Sequence, residues 1–532
     1  MIIKNKAFIF FVFLVFPTII FFRILSFHAI GVIDAGAPVY IGDMILKGQV
    51  PYRDIWEHKT PLIYYLFAFL FKFFGSHFRT ISVFEVLWIF ITSVVFYKLS
   101  RLIFKQKISL CISLIFATYF SAPQVATSFG FRETYAALPV IIAIFCAMRY
   151  ETMPKKYLLF ISGLMVSVAF LFKQTFAISA LPIAIYLAIN HFCTKKIFLH
   201  LILEYSIFSA GVLVPIAIFF VYFFAKGALE DCVSQVFIYN LLYLKNGALP
   251  FLAYIKNLII KTAASPLGIY PFLFIFGISG VLYKLSDFLR EIKKKAATTN
   301  LREKSLFILI LSLFLSDLYM VSLSGYYFEH YYLGMVTSLS LLGGYTLEYF
   351  FKEIKPPIRL VYFLVLSFML SSPWPRNIYD TLGFNKTRNI YLNKKNSINM
   401  GGYRYKCDYP LLIKWIMENT AEDDFIYFWG CSMEINFFTK RPSPTKYPCI
   451  YQFLTPGYLK SSYLKRFILD LKKNKPKFII DAVSAEFLPV SLQYIADRNY
   501  SYNNLLLPVI EFIKDNYIYE TTIEGLGIYR RK

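Results

Sequence analysis

Charge is scarce in this sequence. Asp, Glu, Lys and Arg make up 17% of its 532 residues, where soluble domains carry about 25%. Acidic residues are scarcer still, 32 against 56 Lys and Arg. No Cys-x-x-Cys and no Cys/His cluster occurs, which argues against a zinc site. Cys111, Cys146 and Cys193 lie in or beside apolar runs, whereas Cys232, Cys407, Cys431 and Cys449 fall in polar stretches. Those last four leave a disulfide open, and sequence does not choose its pairing. No long internal repeat or low-complexity linker stands out. What is abundant is apolar: 57% hydrophobic and 19% aromatic residues, with mean hydropathy +0.54. One ordinary core does not hide that excess; it needs a membrane as solvent. The net charge of +24 would suggest nucleic acid in a soluble protein. Here much of it sits in short gaps between apolar runs, where it sets orientation, so no nucleic-acid partner is expected.

A helix needs roughly 20 apolar residues to cross a bilayer. About eleven crossings are expected, near 7–27, 80–98, 107–122, 134–149, 157–173, 175–191, 201–225, 266–284, 305–323, 331–349 and 359–374. The first follows Lys4 and Lys6 and has the look of a signal peptide. It is too long for one, lacks a small-residue cleavage site and precedes many more spans; it reads as a retained helix. With the N-terminus in the cytoplasm, the inner gaps hold Lys98, Arg101, Lys105 and Lys107; Arg149, Lys155 and Lys156; Lys195 and Lys196; the run from Lys284 to Lys304; and Lys352, Lys355 and Arg359. The outer gaps are poorer, with Arg132 in one and Lys173 in the next. The positive-inside rule thus favours a cytoplasmic N-terminus, and an odd number of spans puts 376–532 outside. The segment Pro61–Phe74 covers only about 21 Å as a helix, against a ~30 Å hydrocarbon core. It reads as a helix lying in the outer interface.

The chain therefore divides into a transmembrane unit, 1–375, whose first outer loop is 28–79, and a small α/β unit, 376–532. In the latter, 423–429 and 477–483 read as buried strands, 463–474 and 505–516 as amphipathic helices, and 518–530 as a strand pair about Gly525 and Gly527. The expected fold class is a polytopic α-helical membrane protein with a small C-terminal α/β extracytoplasmic domain.

Ionisable groups at a membrane boundary are costly, so their placement is informative. Residues 31–65 gather Asp34, Asp43, Asp54 and Glu57 with Lys47, Arg53, His58 and Lys59 between two hydrophobic elements. Gly31, Ala35, Gly36 and Ala37 surround Asp34 and leave room for a bulky ligand at its carboxylate. Pro38 can start a short helix through Val39–Lys47, ended by Gly48.

These residues carry a resemblance. Asp34, Tyr40, Gly48, Pro51-Tyr52-Arg53-Asp54, Lys59-Thr60-Pro61 and Phe74-Gly75 form a pattern that resembles the GT-C superfamily of membrane glycosyltransferases. Within it, the chain is similar to bacterial relatives of protein O-mannosyltransferases and of the lipid A aminoarabinose transferase. Arg132-Glu133-Thr134-Tyr135, Phe172-Lys173-Gln174 and Glu329-His330-Tyr331-Tyr332 add to it at predicted outer ends, as do Phe428-Trp429-Gly430, Arg441-Pro442 and Thr445-Lys446-Tyr447 in the tail. The resemblance implies inverting transfer of a sugar from a polyprenyl-phosphate carrier to a glycolipid, wall polymer or protein acceptor, outside the cytoplasmic membrane. Such chemistry asks for a general base on the acceptor hydroxyl and cations or donors aimed at the departing phosphate. Asp34 matches the family's catalytic carboxylate. Lys59, Arg132, Glu133, Lys173, Glu329, His330, Tyr40 and Asp54 are candidate contacts to lipid phosphate or sugar. Relatives with Asp-Glu at the first position differ from this chain, where Ala35 follows Asp34. No metal ligand set is indicated, and a divalent metal is left open.

Plainer readings exist for each residue. Lys59 and Lys173 are also ordinary interfacial anchors, Arg53–Asp54 and Asp54–Lys59 also read as structural ion pairs, and Arg132–Glu133 as a boundary pair. At the level of function, the alternatives are a transporter or flippase of lipid-linked sugars and a non-catalytic assembly protein. Against the first, charges gather at one side rather than at mid-span, Asp317 excepted. A tail that avoids the Asp34 region would favour the second.

Overall fold

The computed structural model describes residues 6–24, 33–122, 129–193, 197–247, 271–293, 301–323, 328–354, 397–400, 403–406, 409–483, 492 and 506–532. Helices follow one another through residue 353: α1 (Lys6–Arg23), α2 (Ile33–Leu46), α3 (Leu62–Phe74), α4 (Phe78–Ser100), α5 (Gln106–Ser121), α6 (Arg132–Thr152), α7 (Lys156–Phe172), α8 (Ala180–Cys193), α9 (Phe198–Ala225), α10 (Leu229–Val233), α11 (Tyr239–Gly247), α12 (Pro271–Lys293), α13 (Leu301–Ser322) and α14 (Leu333–Glu353). Every expected crossing up to 331–349 coincides with a helix; 359–374 lies outside the described residues. Two crossings open on a 3-10 turn, Gln174–Ser179 before α8 and Glu329–Tyr332 before α14. Among the described residues, six helices are long and apolar enough to cross a membrane.

Burial separates the centre of the bundle from its edge. Of the most apolar stretch of α6, 83% is buried, against 22% for α9. The α6 helix is therefore central, and its first residues, Arg132 and Glu133, sit at the end of a well-enclosed helix. Small residues set the closest crossings. A Cβ on Gly163 of α7 would lie 2.0 Å from the Phe208 carbonyl oxygen of α9, and one on Gly211 of α9 2.1 Å from the Phe160 oxygen. Gly280 of α12 meets the Leu342 oxygen of α14 in the same way, at 2.0 Å.

The α3 helix has 13 residues, so about 20 Å of rise. It ends at Gly75, whose φ of 86° is a backbone state that favours glycine. The helix before it departs from expectation. It begins at Ile33, not at Pro38, which lies inside it. Proline has no N–H to give the carbonyl four residues back, here that of Asp34. Gly48 follows the helix with φ 85°, as its stop position requires.

In the tail, β3 (Ile426–Gly430), β4 (Phe478–Ala482), β5 (Tyr517–Ile523) and β6 (Leu526–Arg531) form one sheet in the order β3-β4-β6-β5 once the hairpin β1 (Ser397–Met400) and β2 (Tyr403–Lys406) is set apart. β3 and β4 are parallel, and the β5–β6 hairpin adds antiparallel to β4. The two strands expected to be buried are β3, buried throughout, and β4, buried but for its last residue. Helices over Ser461–Asn474 and Leu507–Asn516 match the two expected amphipathic segments. Cys431 and Cys449 form a disulfide; Cys232 is free and buried.

The tail docks on the first loop. Phe437 stacks on Phe71 of α3 at 5.6 Å between ring centroids. Lys440 Nζ lies 3.2 Å from Asp43 Oδ1 and donates to Ser76 Oγ at 2.9 Å; the Ser76 hydroxyl also donates to Asp43. The backbone N–H of Ser443 donates to the Tyr40 hydroxyl at 2.9 Å, and that of Trp56 to the Lys446 carbonyl at 2.7 Å. The dock also closes on Gly36 of α2. A Cβ on Gly36 would fall 2.6 Å from Glu434 Cβ and 3.0 Å from the Glu434 nitrogen. The glycine admits the tail at close range.

Candidate active site

The loop that joins α2 to α3 is held from several sides. Tyr52 takes φ 71°, an uncommon state for a bulky residue, and its backbone N–H closes on the Ile55 carbonyl at 2.8 Å. Asp54 caps the same turn: its Oδ2 accepts the Val50 N–H at 2.8 Å, and its carboxylate receives two bonds from Arg53. Partial burial works against the Asp54 charge, but Arg53 and the Val50 N–H outweigh it and hold the carboxyl below its ordinary range. The Tyr52 hydroxyl donates to the Lys59 carbonyl at 2.8 Å. The His58 carbonyl accepts from Gln174 at 3.2 Å and from Asn240 at 2.6 Å, and the Thr60 hydroxyl donates to the Phe170 carbonyl at 3.0 Å.

So fixed, the loop presents Lys59 to a cleft whose other walls come from the starts of α6 and α14 and the end of α7. The cleft is lined by Lys59, Phe131, Arg132, Glu133, Lys173, His330 and Tyr331 and encloses about 210 Å³, open mouth included. The sequence-adjacent Arg132 and Glu133 do not act as one boundary pair. Arg132 turns to α3 and the loop: it donates to the Tyr64 hydroxyl at 3.0 Å and lies 3.9 Å from Glu57 Oε2. Glu133 turns the other way, bonding Lys173 and lying 3.8 Å from His330 Nε2. The Lys173 ammonium also sits 3.9 Å from the centroid of the Tyr331 ring, within cation–π range. The imidazole of His330 stacks between Phe131, at 4.7 Å, and Phe328, at 5.8 Å.

The structure thus brings together Lys59, Arg132, Glu133, Lys173 and His330, which lie on four separate stretches of sequence. Three Lys and Arg side chains stand against the carboxylates of Glu133 and Glu57, a net positive lining that favours an anion. Tyr40 and Asp54 do not line the cleft. The Tyr40 side chain is buried at the dock, and Asp54 serves its own turn. Asp34 lies in the first turn of α2 and Glu329 in the 3-10 turn before α14; their side chains are outside the described residues. Among the described residues, no group of three or more His, Cys, Asp or Glu is placed to hold a metal.

Two features escaped the sequence. Glu57 was visible only as one charge among many; its hydrogen bonds depend on how the loop folds. Arg23 and Glu85 form an ion pair at 2.9 Å with both side chains wholly buried. Glu85 also accepts the Gly130 N–H at 2.8 Å, and Arg23 covers the Phe129 ring. They stand on different helices, and no local spacing signals the pairing. Asp317, the charge inside a span, accepts a hydrogen bond from Ser338 of α14.

The fold is one that solved structures share. Over 98% of this chain and 97% of that one, it superposes on ArnT from Cupriavidus metallidurans bound to undecaprenyl phosphate, with TM-score 0.60 and 12% identity. It also superposes on the oligosaccharyltransferase AglB from Archaeoglobus fulgidus, in complex with an inhibitory peptide and a dolichol-phosphate, over 99% of this chain and 74% of that one (TM-score 0.54, 12% identity). More particularly, residues 58–222 match the family described as dolichyl-phosphate-mannose-protein mannosyltransferase. That stretch opens at His58-Lys59 and carries Arg132, Glu133 and Lys173. The resemblance drawn from the sequence is borne out. No curated protein matches the chain.

Proposed function

We propose that this protein is an inverting glycosyltransferase that moves a sugar from a polyprenyl-phosphate carrier to an acceptor at the outer face of the cytoplasmic membrane. The observation that carries the reading is the cationic cleft at the start of the central helix α6, assembled from residues distant in sequence. In this scheme Asp34 takes the proton of the acceptor hydroxyl. The acceptor oxygen attacks the anomeric carbon from the face opposite the phosphate, and the bond from that carbon to the phosphate oxygen breaks. The lipid phosphate leaves with the electron pair, and Lys59, Arg132 and Lys173 meet its charge. Glu133 holds Lys173 in place, and His330 closes the rim beside it. The ArnT structure with undecaprenyl phosphate and the AglB structure with a dolichol-phosphate support a lipid phosphate as the group bound.

The arrangement of short-loop cations supports a cytoplasmic N-terminus and an extracytoplasmic tail. The Cys431–Cys449 disulfide fits an oxidising compartment. The tail's grip on α2 speaks against the assembly-protein reading, which favours a tail clear of the Asp34 region. The test is Asp34→Asn in membranes that otherwise make the glycan. Transfer should fall by about 10²–10⁴, the usual worth of a positioned general base; undiminished transfer removes Asp34 from that role.

A further inference from the structure

Glu57 is 4% exposed and sits two residues before Lys59. Its Oε1 accepts the backbone N–H groups of His58, at 2.9 Å, and Lys59, at 3.2 Å, and lies 3.3 Å from His58 Nδ1. Its Oε2 lies 3.9 Å from the Arg132 guanidinium. Its own N–H donates to Gln235 Oε1 at 3.0 Å, and the Gln235 amide in turn donates to the Tyr52 carbonyl at 2.9 Å. One carboxylate therefore ties the loop that carries Lys59 to the first residue of α6. Neither oxygen belongs to the cleft lining, yet the Lys59 backbone and the Arg132 guanidinium, on two of its walls, both meet this group.

We propose that Glu57 is a positioning residue: it presents Lys59 and Arg132 together, at a fixed separation, to the phosphate of the lipid carrier. The idea rests on the function proposed above. A buried carboxylate is costly unless its oxygens are satisfied, and here both sides of it face groups that define the cleft. Arg132 has a second partner in Tyr64, so loss of Glu57 would release the guanidinium toward α3 rather than leave it bare.

The test measures binding of undecaprenyl phosphate by the purified full chain in detergent, with donor and acceptor KM read in parallel. Loss of the paired acceptor in Glu57→Ala should weaken binding about tenfold, the scale of one charged hydrogen bond, and raise donor KM while acceptor KM holds. Glu57→Gln, nearly isosteric and the safer fold, keeps one carbonyl oxygen and should weaken binding about threefold. A purely structural role would lower the unfolding temperature and move both KM values alike. Wild-type affinity in both variants, or in Glu57→Gln where Glu57→Ala does not fold, overturns the inference. Failure of the wild-type chain itself to bind undecaprenyl phosphate overturns instead the function on which it rests.

Discussion

Two buried ion pairs lie near the start of α6 and differ in what surrounds them. Arg23–Glu85 is closed: both side chains are wholly buried, Gly130 supplies a further donor, and the Phe129 ring covers the guanidinium. Lys173–Glu133 is open: the lysine side chain keeps 14% of its surface exposed, and the pair lines a cleft with further cations. The first joins α1 to α4 and is shut away from solvent. The second holds its charge where a ligand can reach it. A buried charge by itself is thus a poor marker of function; access and surplus charge separate the two uses.

The comparison is broken most sharply at the closed pair. Arg23→Leu should cost about 3–5 kcal/mol of stability, because Glu85 is left buried without its cation. The double variant Arg23→Leu, Glu85→Leu should recover much of that loss. Thermal unfolding in detergent reads both, and an equal fall in the single and double variants would contradict the closed-pair account. At the open pair the effect should fall on catalysis. Lys173→Ala is expected to lower kcat/KM about a hundredfold with a smaller change in unfolding temperature, measured by sugar transfer in membranes. The smallest effect belongs to the exposed pair Arg53–Asp54. Arg53→Ala should cost at most about 1 kcal/mol. Since the Asp54 carboxyl is held below its ordinary range, its contribution is present above about pH 4 and fades as pH falls further. An unfolding curve of the Arg53→Ala variant that parallels wild type down to about pH 3 would show the pair contributes nothing.

Long apolar runs made the spans legible, because a membrane helix carries its whole signal in about 20 consecutive residues. The buried strand Ile426–Gly430 was legible for a similar reason: a short apolar run has few places to go in a small domain. Lys59, Arg132, Glu133, Lys173 and His330 were legible through motifs at helix ends. What sequence withheld was partnership. Arg132 and Glu133 are neighbours that point to different walls, and Arg23 finds Glu85 across 62 residues. The Cys431–Cys449 pairing, the start of α2 at Ile33 and the filling of Gly36's space by Glu434 also depend on contacts made only after folding. Such long-range choices leave no periodic trace.

The dock between tail and first loop has a consequence for biosynthesis. The Tyr40 hydroxyl waits for Ser443, 403 residues later in the chain, and Asp43 for Lys440, 397 residues later. At the ~5–20 residues per second of ribosomal elongation, the partners of α2 emerge roughly 20–80 s after it. During that interval the helix that bears Asp34 lacks its cover. A truncated or stalled chain would hold every span through α14 and still lack the contacts that complete its first loop. Assembly order thus acts as a checkpoint: the first loop is finished only when the last fifth of the chain has been made and brought against it.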